Sequence, residues 1–167
     1  MHDVAATGLD VLLGAVAFGA GQCVVLHPPS EPESYIEALH KQTGFGQTVL
    51  SALGYGGRHF DLIEADDHGA LQDAIWNLKP ADGVRQPAVF NLPDEKRRSI
   101  EFSLEHLAQH APLKPELIPL VAGAPFGQVK LDKVKCTLCM SCVGACPTHA
   151  LTDTPDMPRL KFIERNC

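Results

Sequence analysis

Apolar and polar positions along the first 121 residues alternate between a helical and an extended rhythm. Leu9, Leu12, Leu13, Val16 and Ala17 recur at helical spacing, and Gly19-Ala20-Gly21 stops that helix before a short β-rich run, Cys23 to Leu26. His27-Pro28-Pro29-Ser30 breaks the strand. Ser30 and Glu33 stand at capping-box spacing, and Ile36, Leu39, Val49, Leu50 and Leu53 continue an apolar stripe that Gly44 and Gly46 can interrupt. Gly54-Tyr55-Gly56-Gly57 ends this second helix, and Phe60, Leu62 and Ile63 form a second strand.

Asp66 or Asp67 can cap a third helix with Leu71, Ala74, Ile75 and Leu78 on its inner face, and Trp76 is expected in the core. Lys79 to Pro93, rich in proline, reads as a loop. Asp94 caps a fourth helix with Ile100, Leu104, Leu107 and Ala111 on one face, Pro112 closes it, and Leu117 to Val121 is a third strand. Helices between short apolar strands imply parallel pairing through crossovers. The expected fold class is therefore α/β: a small parallel sheet of about three strands with flanking helices. Because so small a sheet usually has neighbours, a further strand is expected before residue 1.

The chain has 167 residues, 45% of them hydrophobic, enough to bury a core. Its net charge of −6 argues against a general nucleic-acid binder, which needs a basic face. The uncharged run from Val11 to Leu26 is 16 residues long, short of the roughly 20 that a spanning helix needs. No Lys or Arg precedes residue 41, so the basic start of a secretory signal is missing, and a reducing, cytoplasmic setting is expected. From Ala122 the composition changes, with Gly123-Ala124-Pro125-Phe126-Gly127 resembling a linker. Residues 128–167 hold six basic and four acidic residues, a net of +2, which leaves −8 for residues 1–127. Two domains are expected, 1–124 and 125–167.

Five of the six cysteines lie in the second of these. Cys136, Cys139, Cys142, Cys146 and Pro147 spell CxxCxxCxxxCP. Three thiolates at this spacing can take three corners of an iron–sulfur cubane, because a tight loop directs both Sγ atoms and backbone N–H groups toward one centre. Ser141, Gly144 and Ala145 are small enough to let the backbone approach, and Pro147 turns the chain away. The competing reading is structural zinc. Zinc ribbons usually separate two CxxC knuckles by a dozen residues or more, whereas here all four cysteines lie within eleven.

The run resembles the bacterial-type [4Fe-4S] ferredoxins. That resemblance implies a partial ferredoxin-like α+β module, with strands at Val129–Val134 and Thr148–Leu151. In two-cluster ferredoxins the fourth cysteine of each motif serves the other cluster. The resemblance thus assigns Cys136, Cys139 and Cys142 to a first cluster and Cys146 to a second. Phe162-Ile163-Glu164-Arg165-Asn166-Cys167 is similar to the lead-in to a second motif, with Cys167 as its first ligand. Two clusters are expected in the complete protein, with both ligand sets incomplete here, so the chain is read as a fragment. The alternative is a single cluster that recruits Cys146 or Cys167 as its fourth ligand.

Outside the cysteines the signals are weaker. Gly19-Ala20-Gly21 and Gly54 to Gly57 precede strands, whereas a dinucleotide fingerprint follows one and opens a helix. They read as helix ends and turns. Cys23 is expected in the core, His27, His59 and His68 as solvated or satisfied, and Asp66-Asp67 as a cap rather than a catalytic pair. Together, Gly19 to Leu26, the long helix, Leu53 to Gly57 and Gly123 to Gly127 leading into the cysteines resemble large bacterial ferredoxin-type proteins. In these, a module similar to the delta subunit of methyl-viologen-reducing hydrogenase precedes the clusters. This implies an electron relay to a flavin or iron–sulfur partner. Such chemistry requires no acid, base or nucleophile, and none is evident, so the chain reads as an electron carrier or a component of an oxidoreductase. The second functional reading is an α/β nucleotide-binding or regulatory module whose cluster is structural or senses oxidants.

Overall fold

The computed structural model describes residues 4–79, 81–126, 129–154 and 156–166. The chain divides into two compact units, Met1–Ala124 and Pro125–Cys167. In the first, α1 (Leu9–Ala17), β1 (Cys23–His27), α2 (Glu33–Ala52), β2 (Phe60–Glu64), α3 (His68–Trp76) and α4 (Lys96–Gln109) follow in order. β1 and β2 pair in parallel, from Cys23 opposite Phe60 to His27 opposite Glu64, with α2 as the crossover that parallel pairing requires.

Both glycine stops are helix caps. Gly19 and Gly54 have φ of +106° and +85°, in the left-handed region. At the end of α2, Gly54 N–H donates to Ser51 O and Tyr55 N–H to Leu50 O, each at 3.0 Å, the paired bonds of a Schellman motif. Gly19 and Ala20 close α1 in the same way, on Val16 O and Ala15 O, each at 2.9 Å.

The core is centred on α1, whose Leu12, Leu13, Val16 and Ala17 are fully buried, together with Leu39 and Leu50 of α2 and Leu107 of α4. α4 turns a different face inward from the one its large apolar residues suggest. Ser99, Ser103 and Leu107 are buried, and Ile100 and Leu104 are half-buried. Small residues let α4 approach α1 at Gly14, where an added Cβ would lie 3.8 Å from Ser103 Oγ. The serine hydroxyls donate along their own chain, Ser103 to Ser99 O at 2.7 Å and Ser99 to Pro93 O at 2.6 Å, so neither is left unsatisfied.

α2 runs unbroken through Gly44 and Gly46, and no Ser30 side chain caps it; Pro32 takes the N-cap position. The two glycines differ in their surroundings. A Cβ on Gly46 would sit 2.7 Å from Phe60 Cε2 and 3.3 Å from Leu9 Cδ2, whereas one on Gly44 would meet nothing within 4 Å. Gly46→Ala should therefore destabilise the unit by about 1–3 kcal/mol through overpacking. Gly44→Ala should stabilise it by up to about 1 kcal/mol through helix propensity. Denaturant midpoints check this pair; equal signs would show that α2 is not seated on Phe60.

Further expectations are corrected: Glu95, not Asp94, is the N-cap of α4, and the strand expected at Thr148–Leu151 runs over Leu151–Thr154. Among the described residues the parallel sheet has two strands, not three. Leu117–Val121 forms no strand, and Leu117 and Val121 are 80% and 70% exposed. Pro119, which lacks an N–H, stands in the middle of that run and cannot donate to a ladder. α3 is capped by Asp67, whose side chain accepts from Ala70 N–H at 2.9 Å, but it buries no residue, and Trp76 is 79% exposed rather than in the core. A sheet of two strands offers α3 no further apolar layer to cover. Finally, Val129–Val134 is not a strand, because Asp132 closes a turn over residues 133–135.

The second unit contains a short helix, α5 (Ser141–Ala145), and an antiparallel pair, β3 (Leu151–Thr154) with β4 (Met157–Phe162). Among its described residues Ala150 is the one buried apolar side chain. No helix of the described residues is long and apolar enough to cross a membrane.

Candidate metal centre

The cysteine run is built from local turns. Asp132 Oδ1 accepts from Val134 and Lys135 N–H at 3.0 and 3.3 Å, and Asp132 O accepts from Cys136 N–H at 2.9 Å, so Cys136 emerges from a closed turn. Leu138 and Met140, on either side of Cys139, have φ of +55° and +59°. Left-handed backbone at such side chains costs roughly 1–3 kcal/mol each. Alternating backbone handedness turns successive N–H groups toward one concave side, the kind of nest that holds anions and iron–sulfur sites. Cys142 lies on α5, and Cys146 ends that helix in extended conformation, as the following Pro147 requires.

The sulfurs are not equivalent. Cys139 Sγ lies 3.3 Å from Ser141 Oγ. Cys146 Sγ accepts from Ala150 N–H at 3.3 Å and lies 3.6 Å from Thr148 Oγ1. The Ser141 hydroxyl, followed by the Ser141 amide, holds the Cys139 thiol down at about 7. The Thr148 hydroxyl, followed by the Leu151 amide, does the same for Cys146, also at about 7. Burial pushes the half-buried Cys23 the other way. Below-ordinary values mean that the thiolate, the nucleophile and ligand form, persists to lower pH. In the cluster-free chain, Cys139 and Cys146 should therefore reach half-maximal alkylation near pH 7, and Cys23 well above it. Iodoacetamide labelling against pH, read by peptide mass spectrometry, checks the order; a common midpoint for all three would refute it.

Cys136 is half-buried, Cys139 and Cys142 are exposed, and none of the four cysteines of the run is in a disulfide. Cys167 lies outside the described residues. Among the described residues no three His, Cys, Asp or Glu side chains converge on one ion site. Thiolates sharing a single zinc would have to lie about 3.8 Å apart, given Zn–S bonds of about 2.3 Å. Ligands of a cubane each take a different iron and stand farther apart. The four closely spaced thiols, the Ala150 amide on Cys146 and the hydroxyls beside two sulfurs fit an anionic iron–sulfur cluster.

Sequence reasoning picked out Ser141 for its small size and missed its hydroxyl as a partner of Cys139, along with Thr148 and the Ala150 amide at Cys146. Their positions two and four residues from the cysteines were the available signal. The left-handed residues carry none, since Leu and Met do not mark such backbone.

Residues 129–152 match the family model of the 4Fe-4S binding domain. The matched segment contains Cys136, Cys139, Cys142 and Cys146, and is a ferredoxin-type iron–sulfur module. No curated protein and no solved structure matches the chain.

Proposed function

We propose that the chain is an electron-transfer protein in which an α/β domain, 1–124, precedes a ferredoxin-type domain, 125–167, working in a reducing, cytoplasmic setting. Cys136, Cys139 and Cys142 hold a first [4Fe-4S] cluster, and Cys146 and Cys167 belong to a second. The observation that carries this is the family match over 129–152, which spans the four-cysteine run. When bound, such a cluster exchanges one electron with little change in geometry. Hydrogen bonds to sulfur from the Ala150 amide, and from the Ser141 and Thr148 hydroxyls once the sulfurs are unprotonated ligands, offset negative charge and favour the reduced state. A flavin or iron–sulfur protein is the redox partner in this reading, which rests on the likeness of Gly19 to Leu26 and Leu53 to Gly57 to the hydrogenase delta subunit pattern.

Anaerobic reconstitution should give a brown chain that is reversibly reduced by one electron per cluster and passes it to an acceptor protein. Ser141→Ala should lower the reduction potential by on the order of tens of millivolts, the equivalent of one hydrogen bond to sulfur. A redox titration followed by electron paramagnetic resonance reads both. A cluster that cannot be reduced reversibly would leave a structural or oxidant-sensing role instead.

A further inference from the structure

The α/β unit contains a cavity of about 670 Å³, within the roughly 300–1,000 Å³ range of small-molecule sites. Three segments wall it: the turn at Gly54–Gly56 after α2, the loop with Asp82 and Arg85, and the end of α4 at His110 and Pro112.

Hydrogen bonds between these segments set the walls in place. Tyr55 Oη donates to Leu107 O at 2.8 Å and Leu113 N–H to Leu53 O at 2.9 Å, tying the turn to α4 and the chain beyond it. Asp82 N–H donates to Gly56 O at 3.4 Å, and the fully buried His59 places Nε2 3.2 Å from Asp82 O. His106 Nε2, 2.8 Å from Gln86 O, secures the loop beyond Arg85, and its ring lies 4.5 Å from that of His110.

By contrast, the charged side chains at the cavity, Asp82 and Arg85, enter no ion pair among the described residues, while Tyr55 is committed to Leu107 O. Among the described residues, the ion pairs join Arg58 to Asp61, Arg97 to Glu101 and Lys135 to Asp132, and none involves Asp82, Arg85 or His110. Residues 1–127 carry a net charge of −8, so attraction for an anion has to come from local groups and not from the field of the unit. Arg85 offers the fork of donors that suits a phosphate, and His110 a further ring donor. Asp82 is acceptor-only when ionised, which suits hydroxyls and repels a bare anion.

We propose that this cavity binds a phosphate monoester bearing vicinal hydroxyls, of nucleoside monophosphate size. Arg85 and His110 take the phosphate, and Asp82 accepts from the hydroxyls. The lining residues all belong to the first unit, and the proposal does not depend on the cluster assignment.

Calorimetric titration of the full chain with AMP, inorganic phosphate and adenosine tests it. AMP should bind, phosphate more weakly, and adenosine least. Arg85→Ala should weaken AMP about tenfold or more, the effect of losing a hydrogen bond to a charged group. Asp82→Ala, which removes the hydroxyl acceptor and its charge, should close the gap between AMP and phosphate, and Arg97→Ala, outside the cavity, should change nothing. Arg85 is exposed, and circular dichroism checks that its variant is folded. No heat with AMP or phosphate, equal losses in the Arg85 and Arg97 variants, or adenosine binding as tightly as AMP would each overturn the proposal.

Discussion

Cys139→Ser removes the first cluster's visible iron–sulfur absorption from the reconstituted chain. Serine replaces a soft sulfur, whose ligand form is available near pH 7 at this position, by a hard hydroxyl that does not ionise there. The same loss of the first cluster is expected for Cys136→Ser and Cys142→Ser, and none for Cys23→Ser, whose half-buried thiol lies outside the matched module. Cys146 and Cys167 separate the two ligand assignments. If Cys146 serves a second cluster, Cys146→Ser spares the first. If Cys146→Ser abolishes all absorption while Cys167→Ser is silent, the four thiols of the run share one cluster. Iron and sulfide analysis of each variant, prepared anaerobically, decides this, and retention of full iron by Cys139→Ser would remove Cys139 from the ligand set.

Stripping the cluster should unfold residues 129–166 while leaving the α/β unit intact. Ordering a residue costs on the order of 1–2 kcal/mol of backbone entropy, and the described residues of the second unit bury one apolar side chain, Ala150. Val134 is 96% exposed, and Leu138 and Met157 are exposed as well, so hydrophobic burial cannot offset that cost. The left-handed Leu138 and Met140 add to it. Thiolate–iron bonds are left as the main stabilising term, which couples folding to metal binding. Hydrogen exchange with and without an iron chelator should show protection lost from 129–166, including the Ile163 N–H to Ala150 O bond of 2.7 Å, and retained in α1, α2 and α4. Equal protection in both states would show that the second unit is stable without metal.

The parts of the molecule legible in the sequence were those governed by neighbours along the chain. α1, β1, α2, β2 and α4 follow from apolar spacing, and both glycine caps are local hydrogen-bonded motifs completed within five residues. The metal module was legible for the same reason, since its four thiols lie within eleven residues and their spacing alone carries the chemistry.

Burial was decided by partners distant in sequence. Among the described residues no third strand flanks β2 for α3 to cover, and Trp76 is exposed; Ser103 takes an inward place on α4 because Gly14 of α1 permits close approach there. The cavity was invisible for the same cause: Gly54–Gly56, Asp82–Arg85 and His110–Pro112 form no pattern along the chain and meet only in the fold. By itself the sequence determined the four helices and the parallel strand pair of the first unit and the thiols available to a cluster, because hydrogen bonding and ligand spacing act over a few residues; α5 and the β3–β4 pair were not among its expectations. Which faces are covered, which sulfurs receive hydroxyl or amide partners and where a pocket opens were settled only by tertiary packing, because close contact between distant segments is a property of their mutual shape.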